Sequence, residues 1–164
     1  MPQRLSHLDA RGRVRMVDVS GKRVTARAAV ARGRVSMRRE TLEALRAGRG
    51  PKGDVLATAH LAGVMAAKRT SSIVPLAHPI PLEGIELTFT LDAGRRGATA
   101  SVGIEARVRS RGRTGVEIEA LTAAMVAALT LYDMLKAVDR GMVMGEFALW
   151  EKRGGRSGVY RRRA

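Results

Sequence analysis

No cysteine occurs in the 164 residues. Disulfides, thiolate nucleophiles and cysteine-ligated metals are thereby excluded. Aromatic residues are nearly as scarce: one Trp, two Tyr and two Phe. Proteins that bind single-stranded nucleic acid stack bases on exposed rings, so this composition argues against that class. No unbroken apolar run approaches the ~18 residues of a membrane span, because charges and hydroxyls interrupt each one. The N-terminus carries no apolar secretory core, which predicts a cytoplasmic protein. Three scattered histidines make no recognisable zinc site, and His7 and His60 read as structural or exposed. The phosphate-binding pattern G-x-x-x-x-G-K-[ST] is also absent. Acidic residues are half as numerous as basic ones, 15 against 30, which leaves a net charge of +15. Such a surplus attracts polyanions, nucleotides among them.

What is present points to one folded domain. Hydrophobic content is 45%, and the length lies within the roughly 100–200 residues of one domain. Arg13–Val19 and Val24–Val35 read as strands joined by a turn at Gly21-Lys22. Ser36 is placed to cap a helix over Met37–Leu45, which Gly48 and Gly50 stop. After the loop Pro51-Lys52-Gly53, Asp54 caps a helix over Val55–Lys68 that is apolar almost all round, and so packed on more than one side. A proline-bounded loop, Ser71–Pro81, follows. Ile85, Leu87, Phe89 and Leu91, then Ala98, Ala100, Val102, Ile104, Ala106 and Val108, alternate with mostly polar neighbours. They form two strands of a hairpin turning at Gly94–Gly97. Arg111–Gly115 leads into a long helix whose stretch Leu121–Leu135 is nearly all Ala, Leu, Met and Val. Met142–Glu151 closes as a strand. The order ββ-αα-ββ-α-β predicts an α+β fold, with helices on one face of a mainly antiparallel sheet. From Glu151 to Ala164 six cations face one anion, a composition typical of a solvated tail.

Polar residues gather at four loop or helix ends. Lys52-Gly53-Asp54 sets a cation beside the unpaired amides of a helix start, which suits an anion. Lys68-Arg69-Thr70 closes the second helix and complements its dipole; the loop beyond holds His78, a residue able to exchange protons near neutrality. Glu117, Glu119, Asp133 and Lys136 decorate the two ends of the apolar helix, where a charge is costly unless paired or used. Asp133 and Lys136, three apart, share a helical face. Lys152 precedes Gly154-Gly155-Arg156-Ser157-Gly158, whose backbone amides can wrap a phosphate. Each cluster alone has an ordinary structural reading: a solvated turn, a satisfied histidine, an ion pair, a flexible tail. Together they suggest an enzyme acting on a phosphorylated, nucleotide-sized substrate.

Met16-Val17-Asp18-Val19-Ser20, Lys52-Gly53-Asp54-Val55, Ala66-Ala67-Lys68-Arg69-Thr70, Pro75-Leu76-Ala77-His78-Pro79, Gly115-Val116-Glu117-Ile118-Glu119-Ala120-Leu121-Thr122-Ala123, Leu129-Thr130-Leu131-Tyr132-Asp133-Met134 and Gly154-Gly155-Arg156-Ser157-Gly158 occur in this order. The set, from about His7 to Gly158, resembles the MoaC family, the cyclic pyranopterin monophosphate synthases of molybdenum cofactor biosynthesis. The resemblance implies a ferredoxin-like fold, a homohexamer built as a trimer of dimers, and active sites at subunit interfaces. It implies conversion of (8S)-3′,8-cyclo-7,8-dihydroguanosine 5′-triphosphate to cyclic pyranopterin monophosphate with loss of pyrophosphate.

By the same resemblance Asp133, Lys136, Lys52 and His78 are the catalytic residues. Leu76, Ala77, His78, Glu117, Ile118 and Glu119 contact substrate, and Arg27, Lys68, Arg69 and Lys152 hold its phosphates or ring. Many relatives carry Cys where this chain has Ala77, so no thiol is required there. A single catalytic domain, 1–158, and a basic tail, 159–164, are expected. No cofactor is implied; Mg²⁺ often accompanies triphosphates, but no ligand set for it is visible. No nucleic acid or membrane partner is expected. Two other readings compete. One is a basic ferredoxin-like RNA-binding module, which lacks the sheet-face aromatics such modules use. The other is a catalytically silent assembly partner, which the four catalytic positions speak against.

Overall fold

Strand alternation in the sequence becomes a five-stranded antiparallel sheet. The structure, a computed structural model, describes residues 11–48, 50–95 and 99–163. Strands β1 (Thr25–Met37), β2 (Leu82–Asp92), β3 (Ala100–Gly112), β4 (Val143–Arg153) and β5 (Tyr160–Arg161) lie in the order β2-β3-β1-β4-β5. Every neighbouring pair is antiparallel. Helices α1 (Arg39–Arg46), α2 (Val55–Lys68), α3 (Thr70–Ile73) and α4 (Glu117–Leu135) are the helices among the described residues. The first four strands, in the order β4-β1-β3-β2, give the ferredoxin-like α+β arrangement.

Alternate residues of β1 and β3 decide where the core sits. Ala29, Ala31, Val35, Val102, Ile104, Ala106 and Val108 are all buried beneath α4, while α2 packs beside α4 on β2. Their sequence neighbours Arg32, Arg34, Arg107 and Arg109 point to the open face. By length and composition α4 could cross a bilayer. Instead it is the central core helix, with Ala120, Ala123, Ala124, Ala127, Ala128, Leu131 and Leu135 fully buried. Small residues permit close packing: at Gly63 of α2, an added Cβ would lie 3.0 Å from the Ala123 carbonyl oxygen of α4.

Four expectations need correction. Residues 13–19 form no strand beyond an isolated bridge at Val14. Val14 and Met16 are exposed, and Val17 and Val19 line a cavity instead of packing beneath a strand. Ser36 caps nothing, because β1 runs through it and pairs it with both Ser101 and Val143. Within the expected loop 71–81, a short helix occupies the start, as α3. The basic C-terminus is not wholly free: Tyr160 and Arg161 pair with Lys152 and Glu151, and Arg162 N–H donates to the Trp150 carbonyl at 2.8 Å. Asp54 does cap α2, accepting from Ala57 N–H at 3.0 Å. His7, the tip of the Gly94–Gly97 turn with Ala98, and the terminal Ala164 lie outside the described residues.

The cap that Ser36 does not provide comes from Asp139, which is only 4% exposed. Its carboxylate accepts from Arg38 N–H at 2.9 Å, Thr41 Oγ1 at 3.0 Å and Gly141 N–H at 3.0 Å. Burial alone would raise its pKa; these donors and the Arg38 charge outweigh burial and lower it. The carboxylate thereby ties the turn after α4 to the start of α1. Replacing Asp139 by Ala strands three donors and should cost about 2–4 kcal/mol, roughly 6–12 °C in midpoint. Thermal melts measure this. Because the folded pKa is lowered, the stabilisation is full above the ordinary carboxylate range and is lost as pH falls through the lowered value.

Candidate active site

At the exit of α4, one carboxylate sits between two ammonium groups. Asp133 and Lys136 are three residues apart, so they meet on one helical face, Nζ to Oδ1 at 2.7 Å. Lys52, on the loop that enters α2, reaches Asp133 Oδ2 at 2.8 Å. The loop arrives there because α2 and α4 pack side by side, with the start of α2 at the end of α4. Asp133 is half exposed. Hydrogen bonds from Lys136, then Lys52, lower its pKa to about 2. The same bond raises the pKa of Lys136. Asp133 and Lys136 are therefore ionised at neutral pH.

At the entrance of α4 lies a groove. A cavity of about 250 Å³ is lined by Leu76, Ala77, His78, Glu117, Ile118 and Glu119, among others. It shares Val17, Lys22, Thr114, Gly115 and Glu117 with a larger hollow of about 870 Å³. Lys22, Arg23, Arg27, Arg113, Gly155, Arg156 and Ser157 line the larger one. His78 Nε2 is 2.7 Å from the Val17 carbonyl. A carbonyl only accepts, so Nε2 bears the proton and Nδ1 remains for proton exchange. The otherwise irregular segment 15–19 thus forms one wall.

Glu119 is only 4% exposed; desolvation raises its pKa, and the Glu117 charge adds to this. It holds a proton more readily than an ordinary carboxylate. A side chain on Gly115 would overlap the Glu117 carboxylate, so that glycine lets the acid fold back over the backbone. Thr25 Oγ1, whose residue lines the larger hollow, is buried without a hydrogen-bond partner among the described residues.

The predicted site residues therefore fall into two groups. Lys52, Asp133 and Lys136 meet at one end of α4. Leu76, Ala77, His78, Glu117, Ile118 and Glu119 meet at the other, with Arg27. Lys152 joins this second group through a hydrogen bond to Ser157 Oγ. Lys68 and Arg69 end α2 on the same side and are exposed. Glu117 and Asp133 are separated by most of α4, roughly 24 Å along its axis. No single nucleotide spans that distance.

The MoaC family model matches residues 16–155. The cyclic pyranopterin monophosphate synthase of Thermomicrobium roseum is 59% identical over 96% of this chain and 93% of its own length. Those of Pelotomaculum thermopropionicum and Roseiflexus sp. are 57% and 58% identical, over 97% and 95% of this chain and 91% and 96% of their own lengths. The chain belongs to the MoaC family. The RNA-binding alternative finds no support in these matches.

Within this MoaC-family groove, sequence reasoning missed Lys22, Arg23, Arg113 and Arg156 as lining residues. Arg113 was visible only as part of a Gly/Arg loop, and its Nε–H donates to the Lys22 carbonyl at 3.1 Å. Two loops distant in sequence are thereby joined into one basic wall. The signal available was the arginine-rich composition of loops that flank glycines. Among the described residues no group of three His, Asp or Glu is placed to hold a metal ion. A further hollow of about 890 Å³ on the open sheet face is lined by Arg32, Arg34 and Trp150. It shares no lining residue with the groove.

Proposed function

We propose that this chain is a cytoplasmic cyclic pyranopterin monophosphate synthase of molybdenum cofactor biosynthesis, assembled as a homohexamer in which two subunits complete each active site. The substrate is (8S)-3′,8-cyclo-7,8-dihydroguanosine 5′-triphosphate, and pyrophosphate leaves. The observation that carries the shared site is the separation of the two polar groups by nearly the full length of α4. A neighbouring copy that brings its Lys52–Asp133–Lys136 cluster to this copy's groove closes the gap. Leu61 and Met65 of α2, with Met125 and Leu129 of α4, remain exposed in the single chain, and exposed apolar surface on a helix pair favours burial against another subunit.

In this reading the groove divides the work. Arg27, Lys152 and the lining cations Lys22, Arg23, Arg113 and Arg156 meet the triphosphate and stabilise the charge that builds as pyrophosphate departs. Leu76–His78 and Glu117–Glu119 surround the ring system. Glu119, with its raised pKa, supplies or retains a proton during ring opening, and His78 Nδ1 exchanges another. Asp133, held near a pKa of about 2, is too weak a base for neutral pH. It serves as the counter-ion that aims Lys52 and Lys136, whose ammonium groups bring fixed positive charge to the reacting ring system. Lys68 and Arg69 extend the cationic rim.

The direct test supplies the cyclic triphosphate to the purified chain and follows two products. Stoichiometric pyrophosphate and a pterin carrying a cyclic phosphate are expected. Pyrophosphate without the pterin, or neither, would refute this function.

A further inference from the structure

The turn between β4 and β5 passes beneath Arg27 without a side chain in the way. Arg27 stands on β1 opposite Ser110 of β3. Its Nε–H and Nη2–H donate, at 3.4 Å each, to the carbonyls of Gly112 and Arg113. The opposite side of the guanidinium meets Gly155. A Cβ at Gly155 would overlap Arg27 Nη1 and crowd Cζ. One at Gly154 would overlap the Ala26 carbonyl and lie 3.2 Å from Arg27 Cδ. Both glycines adopt positive φ, 94° and 72°. The guanidinium is thus clamped between two backbone segments, the β3–α4 loop and the glycine turn.

We propose that Gly155 is a positioning residue for the phosphate chain of the substrate: its missing side chain is the seat that holds the Arg27 guanidinium in the groove. This rests on the reading of the groove as the triphosphate site. A guanidinium has five N–H donors in a rigid fork. The two long contacts to backbone carbonyls occupy two of them and fix the plane. The remaining donors stay available beside Lys22, Arg23, Arg113 and Arg156, which line the same hollow. Like charges held this close favour an anion that bridges them. Arginine suits this role because its fork pairs with phosphate oxygens two at a time. A methyl group at Gly155 would expel the guanidinium from its seat without removing its charge, so the change moves the cation and does not delete it.

Gly155 also needs its glycine for backbone reasons, since a left-handed φ is costly for other residues. Gly48 separates the two effects. It has φ +65°, and an added Cβ there meets nothing within 4 Å; it lies after α1, outside the groove. The full-length proteins to compare are wild type, Gly155→Ala, Gly48→Ala, Arg27→Ala and the double variant Gly155→Ala/Arg27→Ala. Gly155→Asn serves as a second substitution, because Asn tolerates a left-handed φ while still filling the seat.

Inorganic pyrophosphate binding is measured by calorimetry, together with KM, kcat and thermal midpoint. Gly155→Ala and Gly155→Asn should weaken pyrophosphate binding roughly ten- to hundredfold, as expected for a misplaced charge-assisted contact. KM should rise in step and kcat should fall as well, because the same guanidinium stabilises the charge that builds as pyrophosphate departs. Gly48→Ala should lose some thermal stability and bind normally. The double variant should bind no worse than Arg27→Ala, since both changes remove one interaction. The proposal is overturned if the Gly155 variants bind pyrophosphate like wild type, or if their defect adds to that of Arg27→Ala. If wild type neither binds pyrophosphate nor releases it from the cyclic triphosphate, the groove reading itself fails, and that result is distinct from the others.

Discussion

Asp133→Asn is expected to fold and assemble like the wild type while losing turnover by roughly 10²–10³-fold, the span typical when a preorganised electrostatic group is lost. Asn preserves the shape of the side chain and removes its charge. Lys52 and Lys136 then lose the carboxylate oxygens that hold them at 2.8 and 2.7 Å. Two ammonium groups left facing each other repel, so neither stays aimed. Asp133 is half exposed, and exposed ion pairs add little to stability, so the thermal midpoint should hardly move.

The pH dependence has a definite sign. A carboxylate lowered to about 2 stays ionised through the whole neutral range. Whatever it contributes to stability is present above the ordinary carboxylate value and lost as pH falls toward 2. Lys136 is raised, so it stays charged beyond the ordinary lysine range. An acidic activity limb above the ordinary carboxylate range would therefore belong to Glu119, whose pKa burial raises, and should persist, in the residual rate, in the Asp133 variant. Wild-type turnover in Asp133→Asn would mean that Asp133 is only a structural ion-pair partner.

Local signals carried the fold where they were unopposed. Helix α2 runs over Val55–Lys68, as its sequence indicates, because Asp54 caps the first turn and Lys68-Arg69 ends an apolar run. The alternation over Ile85–Leu91 and Ala100–Val108 survives as β2 and β3 because one face of each strand has helices to meet. Where tertiary structure intervened, local reading failed. Ser36 has the chemistry of a cap, but two neighbouring strands pair with its backbone. The capping carboxylate comes instead from Asp139, 101 residues after Arg38, a contact no local pattern contains. Val14 and Met16 alternate like strand residues, yet beyond an isolated bridge at Val14 the segment pairs with no strand, and both side chains stay exposed. Tyr160 and Arg161 find the edge of β4 despite a composition that reads as solvated tail.

For the site, residue types were legible and their grouping was not. Asp133 with Lys136 follows from helical spacing alone. Lys52 joins them only because the loop before α2 lands at the end of α4. The basic wall of Lys22, Arg23 and Arg113 depends on two irregular loops meeting, and loops carry no periodic signal.

The central claim is that each active site draws its groove from one subunit and its Lys52–Asp133–Lys136 cluster from another, and mixing two inactive variants tests it most directly. One variant carries Asp133→Asn; the other carries Arg27→Ala and His78→Ala. Each is damaged at a different end of α4. The two are co-expressed so that subunits assemble at random, and pyrophosphate release from the cyclic triphosphate is measured. If sites are shared, some interfaces join an intact groove to an intact cluster. In a symmetric assembly mixed at equal ratio, roughly a quarter of the sites should be whole, and about that fraction of wild-type activity should return. If mixed assemblies form but remain as inactive as either variant alone, the sites are not shared between subunits and the account is wrong.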